Sequence, residues 1–444
     1  MTPPSLPPLT WLGILRLGLV QAGLGAIVVL TTSTLNRVMI IEWHLPAIVP
    51  GALVALHYAI QVMRPRLGYG SDVGGRRTPW IVGGMAALAL GATGAAAGVA
   101  LMGANLLLGL ALTLVSFIAV GLGVGAAGTS LLTLLAARVD TSKRAPAATI
   151  VWLMMLFGIA VTATLAGKAL DPFGPQRLVA VVATAATLAF TVALLAIRGM
   201  EGPANVIAPT QQHGPGFMTA LRGVWQEPQA RRFAVFVFVS MLAYSGQELV
   251  IEPFAGAVFQ LSPGQSTGLT GLHHAGVLGG MAIVAFWGFA AGSFSRTAMR
   301  AWTMGGCAAS ALAALGLAAA GLAGPDAPLR GAVLLLGIAN GTFAVAAIGS
   351  MMGLASTGQA SREGTRMGMW GAAQALAFGA GGLVSTAASD LMRLLFTAPA
   401  LAYGAVFVME AGLFAFAAML AVQVFQAPRD RAAAPNWGGQ DAKA

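Results

Sequence analysis

The sequence predicts an all-α polytopic membrane protein of twelve transmembrane helices, arranged as two parallel six-helix halves with both termini cytoplasmic. Three observations lead there. Of 444 residues, 57% are hydrophobic and only 9% charged, far less charge than a soluble domain carries. Apolar runs of about 18–25 residues recur along nearly the whole chain, each long enough to cross a ~30 Å hydrocarbon core. Nineteen of the 24 Lys and Arg residues fall on alternate connections, the positive-inside signature of a multi-pass protein.

In order, the spans read 12–36, 47–64, 79–102, 106–136, 146–167, 177–198, 231–254, 268–292, 300–322, 329–353, 366–388 and 398–425. The polar stretch 199–230 splits them six and six. The expected organisation is an N-terminal half 1–198, a cytoplasmic linker 199–230, a C-terminal half 231–427 and a flexible cytoplasmic tail 428–444. Met1–Thr10 is Pro-rich without Lys or Arg, so the first hydrophobic helix is expected to act as an uncleaved insertion signal. The outer connections keep only Arg37, Lys168, Arg177, Arg330 and Arg393.

The halves echo each other. Leu56-His57-Tyr58-Ala59 in span two answers Leu272-His273-His274-Ala275 in span eight. Arg144 lies eight residues ahead of Trp152, as Arg362 does ahead of Trp370. Glu42 and Glu252 each follow an apolar run at the end of the first span of a half. Together these matches support a parallel repeat.

Several function classes drop out. The net charge of +10 is spread over short loops rather than gathered in a patch, so lipid is the expected partner and nucleic acid is not. Cys307 is the sole cysteine, which excludes a disulfide or thiolate cluster within one chain. No nucleophile–base arrangement, phosphate loop or HExxH-type motif appears, so an enzyme is not expected. Spans one, four and five lack an acid at mid-depth; Glu248 and Glu252 lie one turn apart near the end of span seven, and Glu410 is the only acid inside span twelve. That pattern fits an apolar or amphipathic cargo better than a proton-coupled polar one.

His57, His273 and His274 carry two readings. Each is either hydrogen-bonded to a neighbouring helix or, as a neutral imidazole, an axial ligand for a metal such as the magnesium of a chlorin. His44 and His213 fall in loops, and Trp11, Trp43, Trp80, Trp225 and Trp302 near span ends or in loops suit interfacial anchoring. After span two comes Gly68-Tyr-Gly-Ser-Asp72-Val-Gly-Gly75-Arg76-Arg77. It resembles the loop signature of the major facilitator superfamily. The glycines permit a tight turn, Asp72 can meet a basic group or a helix N-terminus, and Arg76 and Arg77 hold the loop at the cytoplasmic surface.

Two longer stretches are more specific. Arg16-Leu-Gly-Leu-Val-Gln21 runs on to Thr34-Leu-Asn36-Arg37-Val-Met-Ile, and the second half has Gln247-Glu-Leu-Val-Ile-Glu252-Pro253-Phe-Ala-Gly256-Ala-Val-Phe259. With Arg76-Arg77-Thr-Pro79, these resemble the bacteriochlorophyll delivery (PucC/LhaA-type light-harvesting assembly) family of that superfamily. The loop between Asp72 and Arg76 is shorter than in PucC and LhaA proper, which makes the chain more similar to a branch associated with bacteriochlorophyll synthesis genes. The resemblance implies a membrane assembly factor that handles or delivers bacteriochlorophyll as cargo during light-harvesting or reaction-centre biogenesis. Its implied setting is the bacterial inner (intracytoplasmic) membrane, beside light-harvesting or reaction-centre polypeptides and bacteriochlorophyll synthase. His57 and His273 are then the candidate ligands of the chlorin magnesium, with His274 a third pigment-binding candidate. Asn36, Arg37, Gln247, Glu248 and Glu252 are expected to form an outer polar cluster. The rival readings are an alternating-access transporter of an amphipathic small molecule and a pigment-free assembly scaffold.

Overall fold

The computed structural model describes residues 9–61, 76–140, 143–201, 222–223, 225–290, 296–356 and 363–425, and the long regular elements among them are helices. They are α1 Trp11–Ile41, α2 Ile48–Ile60, α3 Thr78–Leu101, α4 Leu106–Arg138, α5 Arg144–Leu170, α6 Pro175–Ile197, α7 Pro228–Phe259, α8 Pro263–Ala290, α9 Arg296–Ala323, α10 Leu329–Ser356, α11 Glu363–Leu395 and α12 Pro399–Phe425. Eleven are long and apolar enough to cross a membrane, so the chain is a multi-pass membrane protein. The described part of α2 has 13 residues, and the rest of predicted span 47–64 lies outside the described residues. So do most of the linker 199–230 and all of the tail 428–444.

Local chemistry explains the starts. Pro opens α6, α7, α8 and α12, where its missing N–H costs nothing. Asn105 caps α4 by accepting Leu108 N–H at 3.1 Å, and Thr10 caps α1 by accepting Gly13 N–H at 3.3 Å. Several ends differ from the sequence expectation: α11 runs to Leu395 rather than 388 and α8 starts at Pro263 rather than 268, and two further cases carry chemistry. α1 runs on to Ile41 rather than 36, through a π-helical turn at Leu30–Thr34. There Thr31 and Thr32 both donate to Val28 O, at 2.8 and 3.0 Å, and such back-bonding loosens a helix without ending it. α7 continues past Pro253 to Phe259, because a side chain from another helix replaces the bond that proline deletes.

Packing follows one scheme twice. α1 packs on α5 and α6, α2 on α4, and α3 on α4 and α6; α7 packs on α11 and α12, α8 on α10, and α9 on α10 and α12. The main contacts between the two sets are α5 with α8, α2 with α11, and the end of α1 with α7 and α8. At one end of the bundle Arg16 donates to Arg198 O at 2.7 Å and Arg138 to Met200 O at 2.8 Å, satisfying carbonyls at the exit of α6.

Small residues set the closest approaches, since lipid offers little hydrophobic drive between helices. A Cβ on Gly84 of α3 would lie 2.6 Å from Ala127 N, and one on Gly91 would lie 2.9 Å from Ser116 O of α4. The counterpart pair α9/α10 has its own close approach, where a Cβ on Gly306 would lie 2.5 Å from Phe343 N, and an open face beside it. Gly305 and Gly316 have nothing within 4 Å of a Cβ, and they border an apolar groove of about 820 Å³ that Trp287 and Trp302 also line. The substitution G84V should therefore cost about 1–3 kcal/mol through overpacking, while G305A should be nearly neutral. Thermal unfolding of both variants in mild detergent checks this contrast.

Candidate functional site

The two family-like stretches meet in space. α1 and α7 cross where Asn36 Nδ2 donates to Leu249 O at 2.8 Å. In an ordinary helix that carbonyl would receive the N–H of residue 253, but Pro253 has none. The proline thus frees an acceptor in the membrane interior, and Asn36 fills it from the other half of the chain. One position on, Arg37 reaches across α7 to donate to Leu261 O at 2.7 Å and to Glu42 Oε1 at 2.5 Å. A Cβ on Gly256 would stand 3.1 Å from Arg37 Nη2, so glycine there makes room for the guanidinium. Thr34 meets Thr267 of α8 at 3.1 Å, and Thr267 and Thr270 both donate to the carboxylate of Glu252.

Asn36, Arg37, Gln247 and Glu252 are all at most 2% exposed. They form an interlock between α1, α7 and α8. Arg37, counted by sequence among outer-loop cations, lies inside helix α1. Hydropathy placed the first span's end at residue 36 because it treated a buried arginine as a stop.

The histidines are buried in the helix bundle as well. His57 and His273 are 1% and 2% exposed. His57 Nε2 is 2.9 Å from Gln61 Nε2, and His273 Nε2 is 3.2 Å from Asn340 Nδ2 of α10. An amide nitrogen only donates, so in both rings Nε2 is the acceptor and the proton resides on Nδ1. Asn340 also donates to Gln247 Oε1 and accepts from Ser310, both at 2.8 Å. His274 differs: Nδ1 contacts Thr270 O at 3.0 Å and Nε2 faces Glu248 Oε1 at 3.5 Å, so a carboxylate and not an amide meets its outer nitrogen.

An aromatic row links the two halves between the two matching histidines. His57 packs edge-on to Tyr58 at 4.9 Å, Tyr58 on Phe378 at 5.6 Å, Phe378 on Tyr244 at 5.9 Å, and Tyr244 on His273 at 6.3 Å. Hydropathy could not reveal this row, because its members come from α2, α7, α8 and α11. It also missed Asn340, Ser310 and Gln61 as partners; a polar side chain within an apolar run was the available signal. Glu410 is fully buried on α12 and accepts from Ser385 at 3.0 Å, against Gly246 of α7.

Of the loop signature, Gly68, Asp72 and Gly75 lie outside the described residues. Arg76 is exposed, and Arg77 is the N-cap residue just before α3. Glu201 accepts the backbone N–H groups of Arg77 and of Thr78, the latter at 2.8 Å, so it neutralises the N-terminus of α3. Burial raises its pKa, but hydrogen bonds from the Thr78 side chain and the two backbone groups, with the Arg77 charge, together hold it below the ordinary carboxylate value of 4.5.

Two predictions follow from this geometry. N36A should cost about 1–2 kcal/mol by orphaning the Leu249 carbonyl, and adding P253A should recover much of that loss by restoring a donor. A double-mutant cycle on detergent unfolding reads the coupling. The Glu201 contact should stabilise fully above the ordinary carboxylate range and fade as pH falls through its lowered pKa. E201Q should flatten that acid limb in a pH series of thermal melts.

A sequence profile of the PUCC protein family matches residues 34–428. The chain is 50% identical over 419 residues to the "Bacteriochlorophyll synthase 44.5 kDa chain" of Rhodobacter capsulatus, covering 94% of this chain and 96% of that one. It is 29% identical to "Protein PucC" of Cereibacter sphaeroides, over 92% and 91% of the two chains. Among solved structures it is similar to a bacterial homologue of the lysosomal transporter Spinster (TM-score 0.68, 14% identity, 93% and 96% covered). The peptide transporter POT is similar too (TM-score 0.68, 12% identity, 95% and 96% covered); at such identities the likeness shows the fold alone. With the fold of those transporters and a family match over most of its length, this chain belongs to the PUCC protein family.

Proposed function

We propose that this protein is a membrane assembly factor that handles bacteriochlorophyll and delivers it to light-harvesting or reaction-centre polypeptides as they assemble. The observation that carries the reading is the matched pair His57 and His273. Each lies in a different half of the chain, is fully buried, and turns the lone pair of Nε2 toward a neutral amide. A magnesium needs such a neutral imidazole lone pair, and it would take the place of the amide N–H at either ring. His274, facing Glu248, is the weaker candidate of the three.

The surroundings suit this cargo. A chlorin with a long hydrocarbon tail is too apolar to cross water, so handover belongs within the bilayer. The aromatic row between the histidines offers flat apolar contact, and the α9/α10 groove is lined almost wholly by apolar side chains. The 50%-identical relative carries a synthase subunit's name, yet that name describes a chain of an assembly and assigns no catalytic residue. The reading is therefore non-enzymatic, with a bacteriochlorophyll synthase as a partner. The arginine-rich end would face the cytoplasm and the setting would be the bacterial inner membrane.

An alternating-access carrier of an amphipathic molecule is the second reading, favoured by the likeness to transporter folds. Purification from a pigment-producing phototroph separates the two. Wild-type protein should carry bacteriochlorophyll visible in its absorption spectrum together with antenna or synthase subunits. H57F or H273F should lower the pigment loading several-fold while leaving helicity and elution unchanged. Unchanged loading in both variants would reject the ligand assignment, and saturable uptake into vesicles without pigment would favour the carrier.

A further inference from the structure

The hydrogen bonds around His273 leave donors in excess. Asn340 of α10 is their centre. Its Oδ1 accepts from Ser310 of α9 at 2.8 Å, and its Nδ2 donates to Gln247 Oε1 of α7 at 2.8 Å and to His273 Nε2 of α8 at 3.2 Å. Four helices of the second half thus meet on one amide, and none of the four side chains is more than 2% exposed. Both hydrogens of Asn340 Nδ2 are used. Gln247 Nε2, which also carries two, is buried with no hydrogen-bond partner among the described residues. An unpaired donor is costly in the membrane interior, where water is not at hand to accept from it.

The first-half counterpart is built differently. The amide at His57 comes from Gln61, one turn on in the same chain, whereas the amides at His273 come from two other helices. Metal binding at His273 would deepen the excess of donors. Once magnesium takes the Nε2 lone pair, one hydrogen of Asn340 Nδ2 loses its acceptor and joins the two of Gln247. A cargo offering only a metal and a hydrocarbon surface would leave all three buried and unpaired. A carbonyl oxygen has two lone pairs with which to accept them. Gln247 and His273 share Asn340 as a neighbour, so the rim of a flat ring held by His273 falls beside the Gln247 amide.

We propose that Gln247, with Asn340, reads a carbonyl on the rim of the pigment held by His273, selecting magnesium chlorins that carry a keto or acetyl oxygen there. This selection presupposes the proposed handling of bacteriochlorophyll and adds to it a determinant of which chlorin is taken and which way round it lies. In the empty protein Asn340 keeps the proton off His273 Nε2. On loading, magnesium replaces the Asn340 N–H at that nitrogen, and the amides of Asn340 and Gln247 donate to the carbonyl instead. The magnesium–nitrogen bond is the one coordination bond formed, and no proton is transferred. A ring without the oxygen leaves the amides unpaired, which is how a site built to hydrogen-bond rejects an analogue.

Resonance Raman spectroscopy tests this on the full-length protein in nanodiscs loaded with bacteriochlorophyll a, because a carbonyl stretching band falls in wavenumber when its oxygen accepts a hydrogen bond. Wild-type protein should show one such lowered band, and H273F should lose it together with its share of pigment. Q247M removes the donor in a side chain of similar length. The band should then return to its free position with pigment still bound, and the dissociation constant should rise several-fold. Magnesium octaethylporphyrin, whose rim bears only ethyl groups, should bind Q247M and wild type alike. Q247N, which keeps an amide but withdraws it by one methylene, is the milder variant should Q247M impair folding; it should free the same band. A wild-type spectrum with every ring carbonyl at its free position overturns the selection and leaves pigment handling standing. So does a lowered band that persists in both Gln247 variants. If wild-type protein takes up no pigment, the selection falls together with the pigment-handling role.

Discussion

Within a bilayer no water is at hand to satisfy a backbone group, so every carbonyl freed by an irregular helix must be met by the protein itself. Pro253 frees one such carbonyl at Leu249, and Asn36 meets it from the other half of the chain. Much of the crossing is organised around that bond. Once Asn36 is fixed against α7, Arg37 is carried over Gly256 to the carbonyl of Leu261, and Thr34 is brought to Thr267. Thr267 then faces Glu252, one residue before the proline. A sequence motif that looks like a string of unrelated residues is the two sides of one interlock.

The interlock and the histidines belong to one polar seam. Gln247 precedes Leu249 by two residues and ties the crossing to Asn340, which in turn holds His273. Hydrogen bonds of this kind in membranes are worth about 0.6 kcal/mol on average, so no single one dictates the assembly. Their value lies in direction. Amide donors fix which nitrogen of each imidazole keeps its lone pair, and the aromatic row from Tyr58 to Tyr244 fixes what lies between the rings. The row joins residues of both halves, Tyr58 of α2 to Tyr244 of α7.

The halves differ in the open space beside their glycine contacts. α3 and α4 touch backbone to backbone through Gly84 and Gly91, and α9 meets α10 in the same way at Gly306 while Gly305 and Gly316 face open space. Both pairs thus close on glycine, and α9/α10 adds an apolar groove beside its closed face. The polar contacts at α5/α8 and α2/α11, through Asp171 and Asp390, remain matched, so the asymmetry concerns what each half can accommodate and not how the halves are joined.

Much of this was legible in the sequence, and the divide has a physical basis. Hydropathy counts residues along one helix, and a span needs only enough apolar length, so the helices, the transporter-like class and the repeat could be read from runs and from Leu56–Ala59 against Leu272–Ala275. The pairing of His57 with His273 was also legible, because a repeat preserves position within a helix. The ends of α1 and α7 were not. They depend on whether a buried Arg37 and a mid-helix Pro253 find partners, and those partners stand more than two hundred residues away in the chain. Likewise, no periodicity could announce that Asn340 presents its amide to His273, or that Asp171 and Asp390 cap helices of the opposite half. Composition determines that a chain must lie in lipid and how often it crosses. Which polar group satisfies which is decided only when the helices meet.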